Sequence, residues 1–390
     1  MRMKTERLFY EDVCLKEFEG KVLSCLEQEG TFQVILDRTA FYPEGGGQPA
    51  EGGTLGGRKV LNVVEDGEEI IHITDGPLEP GTTVTGRINW ERRFRLMQQH
   101  SGEHIVSGLI HKKFGYDNVG FHMGSEFITI DLNGLITPDQ LKELEEEAND
   151  YLWTNRKVKV FIATEEEARS LPYRSKKELE GEVRLVEFPG ADLCACCGTH
   201  VEYTGQIGLI KLVSVRHFRE GVRIEMLCGK DALEYLNLHY SQNSEIGVEL
   251  SVKPWDTCQA VKRLEQEILE GKNALNGMKQ KIFSQTAEAC RDRGNLFLFV
   301  DSMDANDLRR MADRILDTCG GICAVFSGDD KEGYKYALGQ RDGDVRDLLK
   351  KMNLALKGRG GGKPFFAQGS LKGKKEEIRE FFRGEGFAQR

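Results

Sequence analysis

Two short stretches, HSGEH at residues 100–104 and CCGTH at residues 196–200, carry the pattern around which this chain must fold. In each stretch three residues separate the two side chains, so His100 and His104, and likewise Cys196 and His200, fall on one side of a helical or turn-like segment. Three imidazoles and one thiolate suit Zn²⁺, which prefers nitrogen and sulfur ligands. Because the stretches are about a hundred residues apart, the fold must bring them together.

The residues around these ligands limit the kind of site. Ser101 stands where the zinc-protease motif HExxH carries its catalytic glutamate, so the obvious protease interpretation is excluded. Cys194 or Cys197 could replace Cys196 in a purely structural four-ligand site. The pattern therefore predicts a metal site and leaves a structural and a catalytic metal both open.

The composition describes a globular chain. With 390 residues, of which 39% are hydrophobic and 30% charged, the chain is long enough for two or three domains. The opening MRMKTERLFYEDV has no apolar segment of the secretory type, and no later stretch reaches the roughly eighteen apolar residues of a membrane span. We expect a cytoplasmic protein without membrane segments, whose ten cysteines are mostly reduced thiols.

The hydrophobic pattern predicts an α+β fold in four parts. These are a small N-terminal β-barrel (1–90), an α+β zinc-containing domain (91–240), a long helical arm (241–292) and a C-terminal α/β domain (293–390). The barrel strands are expected at Phe32–Leu36, Lys59–Val64, Ile70–Ile73 and Thr83–Ile88, and the glycine-rich FYPEGGGQPAEGG (41–53) is expected to be a loop.

The two metal-binding stretches are expected on different kinds of element. A helical apolar stripe predicts a helix from Trp90 to about Phe114 that carries both histidines of HSGEH. CCGTH is predicted to lie on a loop between two strands. Between them, Thr137, followed by Pro138 and by Gln140 at the third helical position, predicts an N-cap that opens a further helix.

The helical arm carries a heptad-like seam. The apolar residues at this spacing are Val261, Leu264, Ile268, Leu275, Met278 and Ile282. The seam predicts either a homodimer formed through the arm or an arm packed on its own chain, and both remain open.

Four motifs in series, FYPEGGGQP, HSGEH, CCGTHV and GVRIE, resemble the editing half of alanyl-tRNA synthetase, and in particular the AlaX-type editing proteins. GRGGGKPFFAQGS (358–370) resembles the glycine-rich signature of the DHH-associated C-terminal domain of the same synthetases. This resemblance implies hydrolysis of mischarged tRNA(Ala), chiefly seryl-tRNA(Ala) and sometimes glycyl-tRNA(Ala). Because the barrel begins almost at the first residue, we expect a trans-editing enzyme without an aminoacylation domain.

The resemblance also assigns residues. It places His100, His104, Cys196 and His200 at zinc-ligand positions, with the first three counted as catalytic, and His122 in GFHMGS where a polar residue positions the substrate. The backbone of Gly45, Gly46 and Gly47 is expected to approach the ester or the terminal adenosine, while Gln48 and Thr39 could recognise the hydroxyl of serine.

A second expected contact with RNA lies near the C terminus. The net charge of −9 argues mildly against nucleic acid, but the run from Lys351 to Lys375 has seven basic and no acidic residues. Lys363 is followed by Pro364, which excludes a P-loop. Glycine backbone donors flanked by basic residues, near Phe365 and Phe366, favour binding of the tRNA backbone instead, and the alternative is a solvated basic face beside a glycine-rich turn. The residues expected to take part are Lys357, Arg359, Gly360, Gly361, Gly362 and Lys363.

Three functions follow from these patterns. The leading prediction is a zinc-dependent aminoacyl-tRNA deacylase. The alternatives are an RNA-binding protein with a purely structural zinc site and a zinc hydrolase that acts on another ester.

Overall fold

The computed structural model describes residues 4–175 and 181–390, and the chain divides into two compact units, Met1–Ile246 and Gly247–Arg390. Helices and sheets are mixed in the way an α+β fold requires, which confirms the predicted class. In these described ranges, none of the helices combines the length and the apolar character that a membrane span needs.

The first unit begins with strands that pair antiparallel, except for one short parallel pair, Glu6–Arg7 with Arg38–Thr39. Its first elements are β1 (Glu6–Arg7), α1 (Leu8–Glu11), β2 (Glu17–Gln28), β3 (Thr31–Leu36), β4 (Arg38–Thr39), β5 (Gly53–Leu55), β6 (Arg58–Asp66), β7 (Glu69–Thr74) and β8 (Thr83–Ile88). Strands β2, β3, β7, β6, β5 and β8 pair in that order, and β8 pairs back with β2, so that the strand order is that of a closed barrel. Val34, Leu36 and Leu55 are fully buried inside it. The four expected strands lie within β3, β6, β7 and β8.

The glycine-rich stretch between β4 and β5 is a loop, as expected. Gly45 and Gln48 exchange two backbone hydrogen bonds of 3.1 and 3.0 Å, which form a tight turn. Gly46 and Gly47 at its tip are exposed and have φ values of +61° and +85°, which favour glycine. The turn therefore presents bare backbone to its surroundings.

The rest of the first unit is built around one buried helix. Its elements are α2 (Trp90–Phe114), β9 (Asn118–Met123), β10 (Ile128–Leu132), α3 (Pro138–Trp153), β11 (Lys159–Ala163), α4 (Glu165–Ser170), β12 (Val183–Phe188), β13 (Asp192–Ala195), β14 (Ile210–Phe218), β15 (Gly221–Cys228) and α5 (Gly229–Glu249). A four-stranded sheet, β14-β15-β10-β9, and a three-stranded sheet, β11-β12-β13, contribute to one core with α2. Every residue of α2 from Leu96 to Ile110 is buried. This burial places HSGEH inside the unit.

Two helices of this unit test the sequence interpretation. The cap of α3 is confirmed, because the Thr137 hydroxyl accepts a hydrogen bond from the Gln140 backbone while the Gln140 side chain accepts one from the Thr137 backbone. Helix α5 was predicted only in its last part, from residue 241, within the expected helical arm. Its apolar residues Leu233, Leu236 and Tyr240 are exposed, so it lacks the buried stripe by which helices are recognised in sequence.

The second unit is a long helix followed by an α/β domain. Its elements are α6 (Thr257–Ala289), β16 (Gly294–Val300), α7 (Ala305–Leu316), β17 (Gly320–Asp329), β18 (Gly333–Gly339), α8 (Arg346–Ala355), β19 (Arg359–Lys363), β20 (Phe366–Leu371), α9 (Lys375–Gly384) and β21 (Ala388–Gln389). Its six-stranded sheet has the order β19-β20-β18-β17-β16-β21. Near its end, α6 joins the domain core through Phe283 and Ala287.

The glycine-rich segment near the C terminus corrects an expectation. Residues 359–363 form the edge strand β19, paired with β20, and not the glycine-rich turn of the alternative interpretation. A Cβ atom at Gly360 would lie 2.2 Å from the Tyr336 hydroxyl, and one at Gly362 would lie 2.1 Å from the Phe366 carbonyl oxygen. The glycines therefore allow close packing on β20, although glycine disfavours strands in general.

Candidate metal centre

The predicted ligands come together in the first unit. His100 and His104 project from α2, while Cys196 and His200 lie on the segment after β13. The ligand atoms of these four residues all lie within 4.8 Å of one another, which is close enough to share one metal ion. All three histidines are at least 97% buried. The fold thus brings together the two stretches that the sequence separates by about a hundred residues.

His100 is oriented by the glycine-rich loop. Its Nδ1 lies 3.0 Å from the side-chain oxygen of Gln48, and its Nε2 lies 3.5 Å from Sγ of Cys196. Gln48 also accepts a hydrogen bond from the Thr199 backbone and donates one to the Thr199 hydroxyl. Gln48 therefore binds the metal-site residues themselves, and its amide is engaged in holding His100 with Nε2 toward the ligand cluster.

His104 is oriented by a buried carboxylate. Its Nδ1 lies 2.9 Å from Asp192, which also forms a two-pronged ion pair with Arg174 at 2.7 and 2.9 Å. Burial opposes ionisation of Asp192, but its hydrogen bonds with His104 and Arg174 hold the pKa of this carboxyl below its usual value. Asp192 therefore remains a carboxylate that accepts a hydrogen bond from Nδ1 of His104, which leaves Nε2 of His104 to face the cluster.

His200 is oriented by the hydroxyl of Ser101. The Ser101 hydroxyl oxygen lies 3.3 Å from Nδ1 of His200 and accepts a hydrogen bond from the Val201 backbone. Nε2 of His200 lies 3.4 Å from Sγ of Cys196. Burial lowers the pKa of His200 to about 3, so its ring is neutral, as a metal ligand must be. Ser101, which stands where the protease motif has its glutamate, thus positions His200.

Among the three neighbouring cysteines, Cys196 belongs to the four-residue cluster. Burial opposes its thiolate, but the surrounding imidazoles, His100 foremost, hold the pKa of Cys196 well below its usual value. Cys197 is exposed as a residue, but partial burial of its thiol raises the pKa of that group. Cys194 lies near His104 and Asp192, in a second group of ligand atoms that shares His104 with the first. A thiolate at Cys196 is the form that binds a metal.

Two glycines of the motifs are required for space. A Cβ atom at Gly198 would lie 2.1 Å from the His100 ring, and one at Gly102 would lie 2.2 Å from Sγ of Cys228. Neither glycine has a positive φ, so close packing explains why each is a glycine.

Aromatic and basic residues border the cluster. The Phe121 ring on β9 stacks on His100 with centroids 5.3 Å apart, and a Cβ atom at Gly47 would lie 2.6 Å from the Phe121 ring. On the side of Cys196, Arg184 lies over the Tyr10 ring, 4.5 Å from its centroid. The site thus lies between the glycine turn, β9 and the first residues of β12.

Two predicted substrate residues lie elsewhere. His122 is exposed and follows Phe121 on β9, so its side chain points to the opposite face of the sheet from the ring that contacts His100. Thr39 is fully buried, and its hydroxyl lies 2.8 Å from Nε2 of His72. This geometry argues against direct contact of either side chain with substrate. The expected RNA-binding residues, from Lys357 to Lys363, belong to the second unit.

Three protein families match successive parts of the chain. The class II (A) tRNA synthetase family matches residues 2–92. The threonyl and alanyl tRNA synthetase second additional domain matches residues 183–225, and the DHHA1 domain matches residues 294–385.

Relatives match most of the length of the chain. Alanine–tRNA ligase of Ignicoccus hospitalis is 33% identical over 74% of this chain, but the match spans only 33% of the ligase. The alanyl-tRNA editing protein Aarsd1-A of Xenopus laevis is 28% identical, with 85% of this chain and 82% of that protein covered. Aarsd1 of Danio rerio is 26% identical, with 92% of each covered. Over most of its length the chain is therefore similar to alanyl-tRNA editing proteins, and its C-terminal part matches the DHHA1 domain.

Proposed function

We propose that this chain is a zinc-dependent deacylase that hydrolyses mischarged tRNA(Ala), chiefly with serine and also with glycine attached. The convergence of His100, His104, Cys196 and His200 beside an exposed glycine turn is the observation that carries this proposal. The relatives named alanyl-tRNA editing proteins support it.

The donor set fits Zn²⁺. Three imidazoles and one thiolate match its preference for nitrogen and sulfur, and the Nδ1 atoms of the histidines face Gln48, Asp192 and Ser101. When bound, Zn²⁺ would supply Lewis acidity toward an ester or a water molecule.

The chain's own residues would orient the ester. Gly46 and Gly47 are exposed at the tip of the turn, where their peptide N–H groups could donate to a carbonyl oxygen that gains charge. The Phe121 ring between Gly47 and His100 would form an apolar wall. Such a second hydrolytic site provides the discrimination that an alanine pocket cannot achieve against serine or glycine.

The second unit would bind the body of the tRNA. Arg359, Gly361 and Lys363 alternate onto one face of the edge strand β19, and the neighbouring Phe365 is 46% exposed. Cationic side chains attract phosphates, and an exposed aromatic ring can stack on a base.

The seam of α6 would join two copies of the chain. Its six apolar residues, Val261, Leu264, Ile268, Leu275, Met278 and Ile282, are each between 41% and 63% exposed. Their heptad-like spacing favours a coiled coil with a second copy of this helix, since the chain's own core covers Phe283 and Ala287 instead.

The proposed reaction is tested with seryl-, glycyl- and alanyl-tRNA(Ala), each assayed before and after removal of metal and again after zinc is restored. Hydrolysis of the seryl ester but not the alanyl ester, lost with the metal and recovered with zinc, is the expected result. Binding of tRNA without turnover would instead favour a purely structural metal, and full activity without metal would refute the zinc mechanism.

A further inference from the structure

Arg184 is the basic residue that contacts the metal-binding loop itself. One of its terminal nitrogens, Nη1, donates to the carbonyl oxygens of Cys196 at 2.6 Å and of Gly198 at 3.2 Å. The guanidinium therefore contacts the backbone of Cys196, the proposed thiolate ligand, directly. Its plane lies over the Tyr10 ring, 4.5 Å from the centroid, and the Tyr10 hydroxyl donates to the carbonyl oxygen of Cys197 at 2.9 Å.

Arg184 lacks the carboxylate partner that other arginines near the site have. Arg174 pairs with Asp192, and Arg93 pairs with Glu51. In the described part of the chain, no carboxylate lies within 4.0 Å of the Arg184 guanidinium. Its charge is therefore balanced by backbone carbonyl dipoles and by an aromatic face, both of which orient a cation without neutralising it.

The donor geometry leaves one edge of the guanidinium available. Its two bonds to carbonyls use the hydrogens of Nη1, and among the described hydrogen bonds none uses Nε or Nη2. A guanidinium has five N–H donors in a fixed plane, and its Nε–Nη2 edge matches two oxygens of one phosphate. Arg184 is half-buried, so this edge is partly shielded from water and still accessible.

We infer that the Nε–Nη2 edge of Arg184 binds the 5′-phosphate of the terminal nucleotide, whose ribose carries the ester to be cut. This inference rests on the proposed deacylase function and names the anchor that places the ester at the metal site. A phosphate on the same ribose as the ester lies near the metal loop whenever the ester does. Tyr10 acts as a positioning residue, because its ring supports the guanidinium and its hydroxyl fixes the loop.

Two small esters isolate the phosphate contact. Seryl-adenosine and the seryl ester of adenosine 5′-monophosphate differ only in the 5′-phosphate, so the ratio of their kcat/KM values measures that contact. We expect the wild-type chain to favour the phosphorylated ester by about ten- to hundredfold, as for a charge-assisted hydrogen-bonded pair. In Arg184→Gln the ratio should fall toward one, and in Tyr10→Leu it should fall in part.

Arg156 offers a matched control. It also lies over a tyrosine, 5.2 Å from the centroid of the Tyr151 ring, and donates to the carbonyl oxygen of Pro189 at 2.8 Å. Its described partners do not include the metal-site residues. Arg156→Gln should keep the full preference for the phosphorylated ester, and the zinc content of all variants is measured in parallel.

Binding is measured independently of turnover by titration calorimetry with adenosine 5′-monophosphate and with adenosine. Tighter binding of adenosine 5′-monophosphate than of adenosine, lost in Arg184→Gln, supports the inference. If neither ester is hydrolysed, the proposed deacylase function is refuted, but this binding result still supports the phosphate contact. Equal affinities in the wild type, or an unchanged preference in Arg184→Gln, would overturn it and leave Arg184 as a support of the metal loop.

Discussion

The side-chain oxygen of Gln48 lies 3.0 Å from Nδ1 of His100, and this contact joins the barrel to the metal-binding helix. Gln48 belongs to a loop between barrel strands, whereas His100 belongs to α2. The contact assigns Gln48 a role different from the expected recognition of the serine hydroxyl, because the glutamine oxygen already accepts from His100 and from the Thr199 backbone.

Removing the Gln48 amide should weaken metal binding. In Gln48→Ala, Nδ1 of His100 loses its acceptor, and zinc affinity should fall about ten- to hundredfold, as for other residues that orient metal ligands. Competition with a chromogenic chelator measures the change. Gln33→Ala removes a barrel glutamine that bonds to Gln28 away from the site and should leave affinity unchanged. Equal affinities in wild type and Gln48→Ala would show that His100 needs no support from the loop.

Asp192→Asn should lower zinc affinity by a similar factor. The amide can still accept from His104, but it cannot balance the charge of Arg174, with which Asp192 now forms two hydrogen bonds. Asp131→Asn is the matched control, since Asp131 forms an equivalent two-pronged pair with Arg223 at 2.6 and 2.8 Å. The prediction fails if both variants retain the same zinc affinity.

Gly198→Ala should disrupt the site with little change in chemical character. The added Cβ would lie 2.1 Å from the His100 ring, so either the ring or the loop must move. We expect loss of most bound zinc, measured by elemental analysis, and a decrease of about 1–3 kcal/mol in the free energy of unfolding. Gly52→Ala should be tolerated, because its Cβ would meet only one atom at 3.7 Å. Full zinc occupancy in Gly198→Ala would contradict the packing argument.

Buried His72 should make the first unit less stable in mild acid. Burial lowers its pKa from 6.5 to about 4, so between these values the unfolded chain binds a proton that the folded chain does not. The free energy of unfolding should therefore fall as the pH drops from 6.5 to 4, by roughly 3 kcal/mol from this residue. Urea unfolding at several pH values measures the slope. His72→Gln should have a shallower slope over this window, and parallel curves for both proteins would contradict the assignment.

Charges on the seam of α6 should prevent the proposed dimer. Ile268→Glu places a carboxylate on the seam, where a coiled coil would bury it without a partner. The molecular mass from light scattering should then fall from two chains to one. Asn273→Glu, on the opposite side of the helix, should leave the mass unchanged. A wild-type chain that is monomeric at high concentration would refute the dimer.

The limits of the sequence interpretation follow from the range of the interactions. The α3 cap was predictable because Thr137 and Gln140 are neighbours that satisfy each other's backbone groups. Strand β19 was not, because pairing with β20 overrides the low strand preference of glycine. Local propensity decides the secondary structure of a segment only where pairing with a distant segment does not favour another conformation.

The sequence alone predicted the four residues of the candidate metal site and the helix that carries two of them, because these predictions depend on spacing, periodicity and motifs within short stretches. Only the tertiary structure decided how the site is supported. Gln48, Asp192 and Ser101 orient the three histidines, and Arg184 reaches the metal loop from β12. Most of these contacts join residues from about fifty to a hundred positions apart, and sequence periodicity contains no information about which distant side chains will meet.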